Sequence, residues 1–334
     1  MNIYDIAKLS GVSIATVSRV LNGSQKVSEK TRRRVEAVIQ EQAYTPNVFA
    51  RGLGLDSMKM VGVLCTDVAD PFFACAVSVL EQQLKHRGYT PMLFCTGNEL
   101  RGKQEAVEVL LEKRVDAMVL VGSPFREQTD NQHIEKAAQT VPVIVVNGLL
   151  QAPNVYCVVC DECRAVYENT IHLIQQGHRR ILYCYDVTTY SGLQKLAGYQ
   201  KALAEMEIPW DDSLVVQVPK SFPKIYEKIG QIHKEQWFDA AEASEDYLAA
   251  GILKVVGDTV PVIGFNNSVI GECTTPALSS VDNRVEELCI QAIQLLENLF
   301  QGKSCSSVIT LDPVFVQRES CRFETGEIAD KENT

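Results

Sequence analysis

Apolar side chains follow two different rhythms along this chain. From residue 61 onward, short and nearly continuous apolar runs alternate with longer amphipathic stretches. VGVLC (61–65), TPMLF (90–94), DAMVLV (116–121) and PVIVVN (142–147) are separated by segments of helical spacing, the clearest over 71–87 and 102–114. A second series begins near Tyr156 and continues through RILYCY (180–185), LVVQV (214–218), FDAAEAS (238–244) and PVIGF (261–265), with helices predicted over 194–206, 222–235 and 246–256. Apolar runs without polar alternation mark strands buried on both faces, and their regular exchange with helices implies parallel sheets. Residues 60–334 exceed what one core usually organises, so the pattern predicts an α/β body of two doubly wound lobes. A ligand would lie between the carboxyl ends of their strands.

The first 46 residues carry only the helical rhythm. Ile3, Ile6, Ala7 and Leu9 give a first helix one apolar face, with Asn2 as its cap and Gly11 as its stop. Ser13 caps a second helix that buries Val17, Val20 and Leu21 and turns Ile14, Ala15, Thr16, Ser18 and Arg19 to another face. A third helix opens at Ser28, where Val35, Val38 and Ile39 complete a small core, and Tyr44 and Pro46 close an all-α domain. Two short helices across a tight turn are the arrangement of a helix-turn-helix, whose second helix lies in the DNA major groove with its N-terminal residues on base edges. Arg19 is then placed to bridge guanine O6 and N7, with Ile14 and Ala15 beside it. Ser13, Thr16, Asn22, Ser28 and Thr31 are candidates for phosphate contacts, which position a protein without reading sequence.

Charge divides the chain the same way. Residues 1–57 hold eight Lys or Arg against five Asp or Glu, a balance of +3; the whole chain stands at −10, so the remainder carries −13. A basic head on an acidic body suits a nucleic-acid reader joined to something else. Enzyme motifs are missing: there is no G-x-S-x-G elbow, no H-E-x-x-H and no Walker loop, and the five histidines are scattered. No apolar stretch reaches the length of a membrane span. Eleven cysteines with no secretory leader ahead of the head place the chain in a reducing cytosol. Cys65, Cys75, Cys95, Cys184 and Cys289 lie in apolar runs and read as small hydrophobes. Cys157, Cys160 and Cys163 have a spacing superficially like that of metal ligands. The segment reads as a strand running into a helix, so packing is expected, a redox role stays open, and neither metal nor cofactor is expected.

The runs DIAKLSGVSIATVSRVLNG, VSEKTRRRV and YTPNVFARGL, in this order and spacing, resemble the LacI/GalR family of bacterial transcription regulators. The resemblance continues to about Arg318 through DVADPFF (67–73), GHRRI (177–181), KLAGYQKAL (195–203), SEDYLAAG (244–251), IGFNNS (263–268), TTPALSSV (274–281) and VFVQRES (314–320). It implies a periplasmic-binding-protein-like effector body behind the head. In that family, two protomers on operator DNA order a hinge helix after Pro46, and a leucine wedge enters the minor groove. Leu53 holds the wedge position, Asn47, Ala50 and Arg51 match the hinge, and Gly52 and Gly54 depart from it by weakening a helix there by about 1 kcal/mol each.

The implied boundaries are a head over 1–46, a hinge over 47–58, an N-lobe of 59–157 with about 287–312, a C-lobe of 158–286 with about 313–323, and a polar tail over 324–334. Chain crossings between lobes are expected near 157–161, 283–287 and 311–315. Carried over position by position, the effector pocket comprises Phe72, Phe73, Asn147, Lys195, Glu245, Asp246, Asn266 and Asn283. Asparagine replaces frequent aspartates at 147 and 266, which suits a neutral, hydroxyl-rich ligand; Lys195 leaves an acidic or phosphorylated one open. The tail lacks a leucine heptad, so a homodimer is expected. The expected function is a ligand-responsive repressor that binds a near-palindromic operator and answers to a sugar-like effector. A solute receptor with a silent head and a regulator driven by a phosphoprotein partner remain open beside it.

Overall fold

The computed structural model describes residues 3–21, 24, 26–42 and 57–323. The head contains α1 (Ile3–Ser10), α2 (Ile14–Leu21) and α3 (Glu29–Glu41). Ile6, Ala7, Val17, Val20 and Val35 are buried together, with Ile3, Val12, Leu21, Val27, Val38 and Ile39 packed at the margin. One expected core residue is outside it: Leu9 is 55% exposed, and Ser10 is buried in its place, its hydroxyl donating to the Ile6 carbonyl at 2.6 Å. The helical period explains the exchange, since Ile3, Ile6, Ala7 and Ser10 keep the i, i+3, i+4, i+7 spacing and Leu9 does not.

The body begins with β1 (Met60–Cys65), α4 (Pro71–His86), β2 (Thr90–Cys95), α5 (Leu100–Glu112), β3 (Ala117–Val121), α6 (Gln132–Ala138), β4 (Val143–Val146) and β5 (Val155–Cys160). There follow α7 (Glu162–Gln175), β6 (Ile181–Tyr185), α8 (Tyr190–Glu205), β7 (Val215–Gln217), α9 (Phe222–Glu235), β8 (Ala240–Ala243), α10 (Asp246–Val256), β9 (Val262–Phe265), α11 (Val269–Cys273) and β10 (Ser279–Asp282). The last elements are α12 (Val285–Phe300), β11 (Val308–Leu311) and β12 (Val314–Val316). The strands form two six-stranded sheets, ordered β11-β5-β4-β3-β1-β2 and β12-β10-β9-β8-β6-β7.

Both sheets are covered on both faces, as their apolar runs require. On β6, Leu182 and Cys184 enter one cluster with Ile225, Ile229 and Leu248, while Ile181 and Tyr183 enter another with Tyr199 and Leu203. The opposite placement of successive residues follows from the strand period of two. In the first lobe, Val61, Val63 and Cys65 pack with Leu80 and Leu84 of α4 and with Leu288 and Ile293 of α12. Gly198 lets α8 approach α7 closely: a Cβ there would overlap the Cys163 carbonyl oxygen and lie 2.9 Å from the Tyr167 nitrogen.

The sheets correct two parts of the sequence reading. The strand containing Tyr156 belongs to the first sheet, where Val143–Val146 pairs with Val155–Val158, and it continues to Cys160, past the boundary at 157. The second sheet is not wholly parallel, because β12 runs antiparallel to β10. A parallel neighbour needs a crossover of a dozen or more residues. Only residues 312 and 313 separate β11 from β12, so the chain leaves one sheet at the carboxyl ends of its strands and enters the other from the same side. The chain passes between lobes at 161, at 283–284 and at 312–313.

Candidate functional site

On the head, α2 presents Ile14 and Ala15 of its first turn and Arg19 of its last turn to solvent, while Val17 and Val20 face the core. Ser13 and Ser28 repeat one local device. The Ser13 hydroxyl accepts from the Thr16 amide at 3.2 Å and lies 2.9 Å from the Thr16 hydroxyl. The Ser28 hydroxyl accepts from the Thr31 amide at 3.3 Å and lies 2.9 Å from the Thr31 hydroxyl. Each pair caps the helix it precedes and leaves hydroxyls beside amides at an N-terminus, where an anion is favoured. Asn22, Asn47, Ala50, Arg51 and Leu53, with Asn2, Tyr44, Pro46, Gly52, Gly54 and the tail over 324–334, lie outside the described residues.

In the body, the carboxyl ends of the two sheets enclose a cavity of about 430 Å³, within the ~300–1,000 Å³ of small-molecule sites. Six of the eight expected pocket residues line it: Phe72, Phe73, Asn147, Lys195, Glu245 and Asn266. The two phenylalanines meet edge to face at 5.4 Å on the first turn of α4, which Asp70 caps by accepting from the Phe72 amide at 2.8 Å. Asn147 has φ of 54° and is held at both ends, donating to Glu162 at 3.1 Å and accepting from the Cys160 amide at 3.3 Å. Its role is to join the turn after β4 to the start of α7.

Asp246 and Asn283 do not line the cavity. Asp246 is 1% exposed and accepts from the Ser268 amide at 2.6 Å, the Ser268 hydroxyl at 2.8 Å and the Ser280 hydroxyl at 2.6 Å. Burial raises its pKa, against these donors, which lower it. Asn283 is fully buried at the second crossing and donates to the Asn266 side chain at 2.9 Å, so it orients a residue that does face the cavity. Both are one layer behind, because side chains at a strand end or helix start can point into the lobe as readily as out of it.

Several cavity residues carried no sequence signal. Lys220 donates to Asp70 at 2.6 Å and to Glu245 at 2.5 Å, partners 150 and 25 residues away. Burial pulls its pKa down, but the two carboxylates outweigh burial and hold it above the ordinary lysine value. Glu245 is pushed up to about 7, chiefly by burial and then by Asp186, despite Lys220. Lys195, almost fully buried, donates to the Ser244 carbonyl at 2.9 Å, lies 3.5 Å from Glu162 and stands 3.9 Å over the Phe265 ring. Ser123 donates to Thr189 at 2.9 Å. Lys220 to Asp70, Ser123 to Thr189 and Asn147 to Glu162 all join one lobe to the other. The D-P-F-F run, an aspartate ahead of a proline at a helix start, is a signal that could mark Asp70 as a cap; Lys220, in a loop between β7 and α9, has none.

The cysteines are distributed by burial. Cys65, Cys184 and Cys289 are buried, whereas Cys75 is half-buried and Cys95 is exposed at the end of a strand whose sides are only partly covered. Cys157 and Cys160 lie on β5 and Cys163 on α7, and burial raises all three thiols above the ordinary value, away from reactive thiolate. Among the described residues, no group of three or more His, Cys, Asp or Glu side chains is arranged to hold a metal ion. Among them, too, no helix is long and apolar enough to cross a membrane.

Comparison with known proteins places both parts. Residues 2–47 match the family of bacterial regulatory proteins of the lacI type, and residues 58–259 match the periplasmic binding proteins and sugar binding domain of the LacI family. An HTH-type transcriptional regulator of Lachnoclostridium phytofermentans is 45% identical over 97% of this chain and 100% of its own length. Among solved structures, the lac repressor dimer bound to operator and the anti-inducer ONPF shares the fold at a TM-score of 0.85 and 24% identity, covering 96% of this chain and 98% of that one. A complex of the transcriptional regulator CelR with cellobiose matches at 0.70 and 25% identity, covering 96% of this chain and all of the other. A helix-turn-helix head, a two-lobed body with a cavity at its strand ends, and relatives matched over their full length make this chain a member of the LacI family of transcriptional regulators, with that family's sugar-binding type of effector domain.

Proposed function

We propose that this regulator represses transcription as a homodimer on a near-palindromic operator, and that a sugar or sugar derivative between the lobes sets its affinity for DNA. In this reading Ile14, Ala15 and Arg19 contact base edges, and Ser13, Thr16, Asn22, Ser28 and Thr31 hold phosphates. Asn47, Ala50 and Arg51 form the hinge and Leu53 the wedge. Phe72, Phe73, Asn147, Lys195, Glu245 and Asn266 surround the effector, and Asp246 and Asn283 brace them.

One observation carries the reading: the cavity is closed by bonds between lobes, from Ser123 to Thr189 and from Lys220 to Asp70. A molecule that touches both lobes binds the closed arrangement better than an open one, and differential affinity of this kind is what couples a ligand to a distant site, typically by ~1–3 kcal/mol. Support for a sugar comes from the lining, where Phe72, Phe73 and Tyr247 offer ring faces beside carboxylates and amides. A relative bound to cellobiose points the same way.

Fluorescence anisotropy of the full chain on a palindromic operator library, titrated with salt and with sugars, tests the proposal. We expect sequence-selective, salt-sensitive binding of two chains per operator, shifted about fivefold or more by a bound sugar. Absence of sequence selectivity would make the chain a solute receptor with a silent head. DNA binding that no small molecule moves would favour control by a phosphoprotein partner.

A further inference from the structure

The effector cavity has an imbalance of charge that a neutral sugar leaves uncorrected. Among the described residues, five carboxylates line it, from Asp67, Asp70, Glu162, Asp186 and Glu245, against two ammonium groups, from Lys195 and Lys220, and no arginine or histidine. Both lysines are already committed. Lys195 is held by Glu162, the Ser244 carbonyl and the Phe265 ring, and Lys220 lies between Asp70 and Glu245. An anionic ligand would have to displace one of these partners and would still face Asp67 and Asp186. The acidic or phosphorylated effector that Lys195 alone leaves open is thereby disfavoured.

A second observation shows where the missing positive charge belongs. Glu245 is 8% exposed, and its Oε1 is buried without a hydrogen-bond partner, although Oε2 is bound to Lys220. An orphaned buried carboxylate oxygen is costly, and such atoms in native proteins call for a partner. Burial, then repulsion by Asp186, drives the Glu245 carboxyl up to about 7. Asp186 uses Oδ1 to accept from the Ser244 hydroxyl at 3.2 Å, one residue from Glu245. Two carboxyl groups therefore stand at one end of a cavity whose aromatic side chains, Phe72, Phe73 and Tyr247, favour a ring and also a cation near it.

We propose that the effector is a sugar bearing a protonated amine, with the ammonium group seated between Asp186 and Glu245 and donating to Glu245 Oε1. The inference rests on the sugar reading given above and adds the sign of the ligand's charge. The amine supplies the donor that Oε1 lacks and relieves the repulsion between the two acids. Its neutral counterpart, with a hydroxyl at the same carbon, can do only the first.

Calorimetry of the full chain at pH 7.5 tests this with matched sets: glucose, galactose and mannose, each as the free sugar, the 2-amino sugar and the 6-phosphate. An amino sugar should bind at least about tenfold tighter than its hydroxyl counterpart, and the phosphates should give no heat. In Asp186→Asn, which keeps the Oδ1 acceptor for Ser244, that ratio should fall below about threefold. Without ligand, Asp186→Asn should melt about 2–4 °C higher, since one of two repelling charges is gone. A free sugar that binds as tightly as its amine, or a phosphate that binds best, overturns the inference and leaves the sugar reading standing. A lower melting temperature for ligand-free Asp186→Asn also overturns it, because the two acids would then be structurally paired. Silence from every set removes the sugar reading itself, and this inference with it.

Discussion

Ser123, just beyond the end of β3, donates its hydroxyl proton to Thr189, the residue that precedes α8, across 2.9 Å. The two residues belong to different lobes. Thr189 makes no side-chain bond to its own helix, so its hydroxyl is committed to closure alone. Thr189→Val removes the acceptor with little change of volume, and a bond of this kind contributes about 0.5–1.5 kcal/mol. Small-angle scattering of the ligand-free chain should show a larger radius of gyration in the variant. An unchanged radius would mean that the Lys220 and Asn147 bonds hold the lobes without it.

Glu242, on β8, is 3% exposed, with the Thr170 hydroxyl 3.1 and 3.2 Å from its two oxygens. Burial pushes its carboxyl from an ordinary value of 4.5 up to about 8. Because the folded value lies above the unfolded one, the stability linked to this group is full below about pH 4.5 and is lost as pH rises through 8. Glu242→Gln cannot ionise and keeps an acceptor for Thr170. It should melt like the parent near pH 4.5 and be the more stable protein at pH 9, by up to ~5 kcal/mol at about 1.4 kcal/mol per pKa unit. Equal melting curves at both pH values would show that Glu242 stays charged in the folded state.

Gly198→Ala would drive a methyl group against the Cys163 carbonyl, on the backbone of a packed helix that cannot turn aside as a side chain could. Despite alanine's better helix propensity, a loss of about 1–3 kcal/mol is expected in urea denaturation, as for other insertions into tight cores. A gain in stability would mean that α7 and α8 separate without cost.

Arg19 is exposed on α2, two positions from buried Val17 and next to buried Val20. Its replacement by Ala should leave the melting of the head unchanged while costing about 1–3 kcal/mol of operator affinity, with discrimination relaxed at one guanine per half-site. Uniform weakening on every sequence, measured by anisotropy, would reassign Arg19 to a phosphate.

Ser28→Ala, unlike the change at Arg19, should also weaken the head itself. Ser28 caps α3 through the Thr31 amide, so about 1 kcal/mol of head stability should be lost, visible in thermal melting without any DNA.

Much of this architecture is legible in the sequence, because each lobe is built from apolar runs that only doubly covered strands explain. The runs could not say which sheet a strand joins. The segment around Tyr156 is as apolar as its neighbours on either side, and only its pairing with Val143–Val146 assigns it. The same limit applies to the cavity. Phe72, Phe73 and Lys195 were found because they stand in motifs, whereas Lys220 acts through partners in two separate places, and nothing in its own surroundings marks it. For Asp246 and Asn283 the motif marks the element but not the direction of the side chain, which in both is buried. Leu9 is a smaller case of the same kind, a residue one position off the helical period.

The short passage from β11 to β12 has a consequence for how the protein is made. Residues 308–311 complete an edge of the first sheet, and residues 314–316 complete an edge of the second. A ribosome releasing this chain from its N-terminus therefore delivers two nearly finished lobes, each with one strand position open, and fills both within nine residues once α12 has been made. Neither lobe can reach its final form long before the other, and the cavity between them is assembled only after the regulator's DNA-reading head has already emerged.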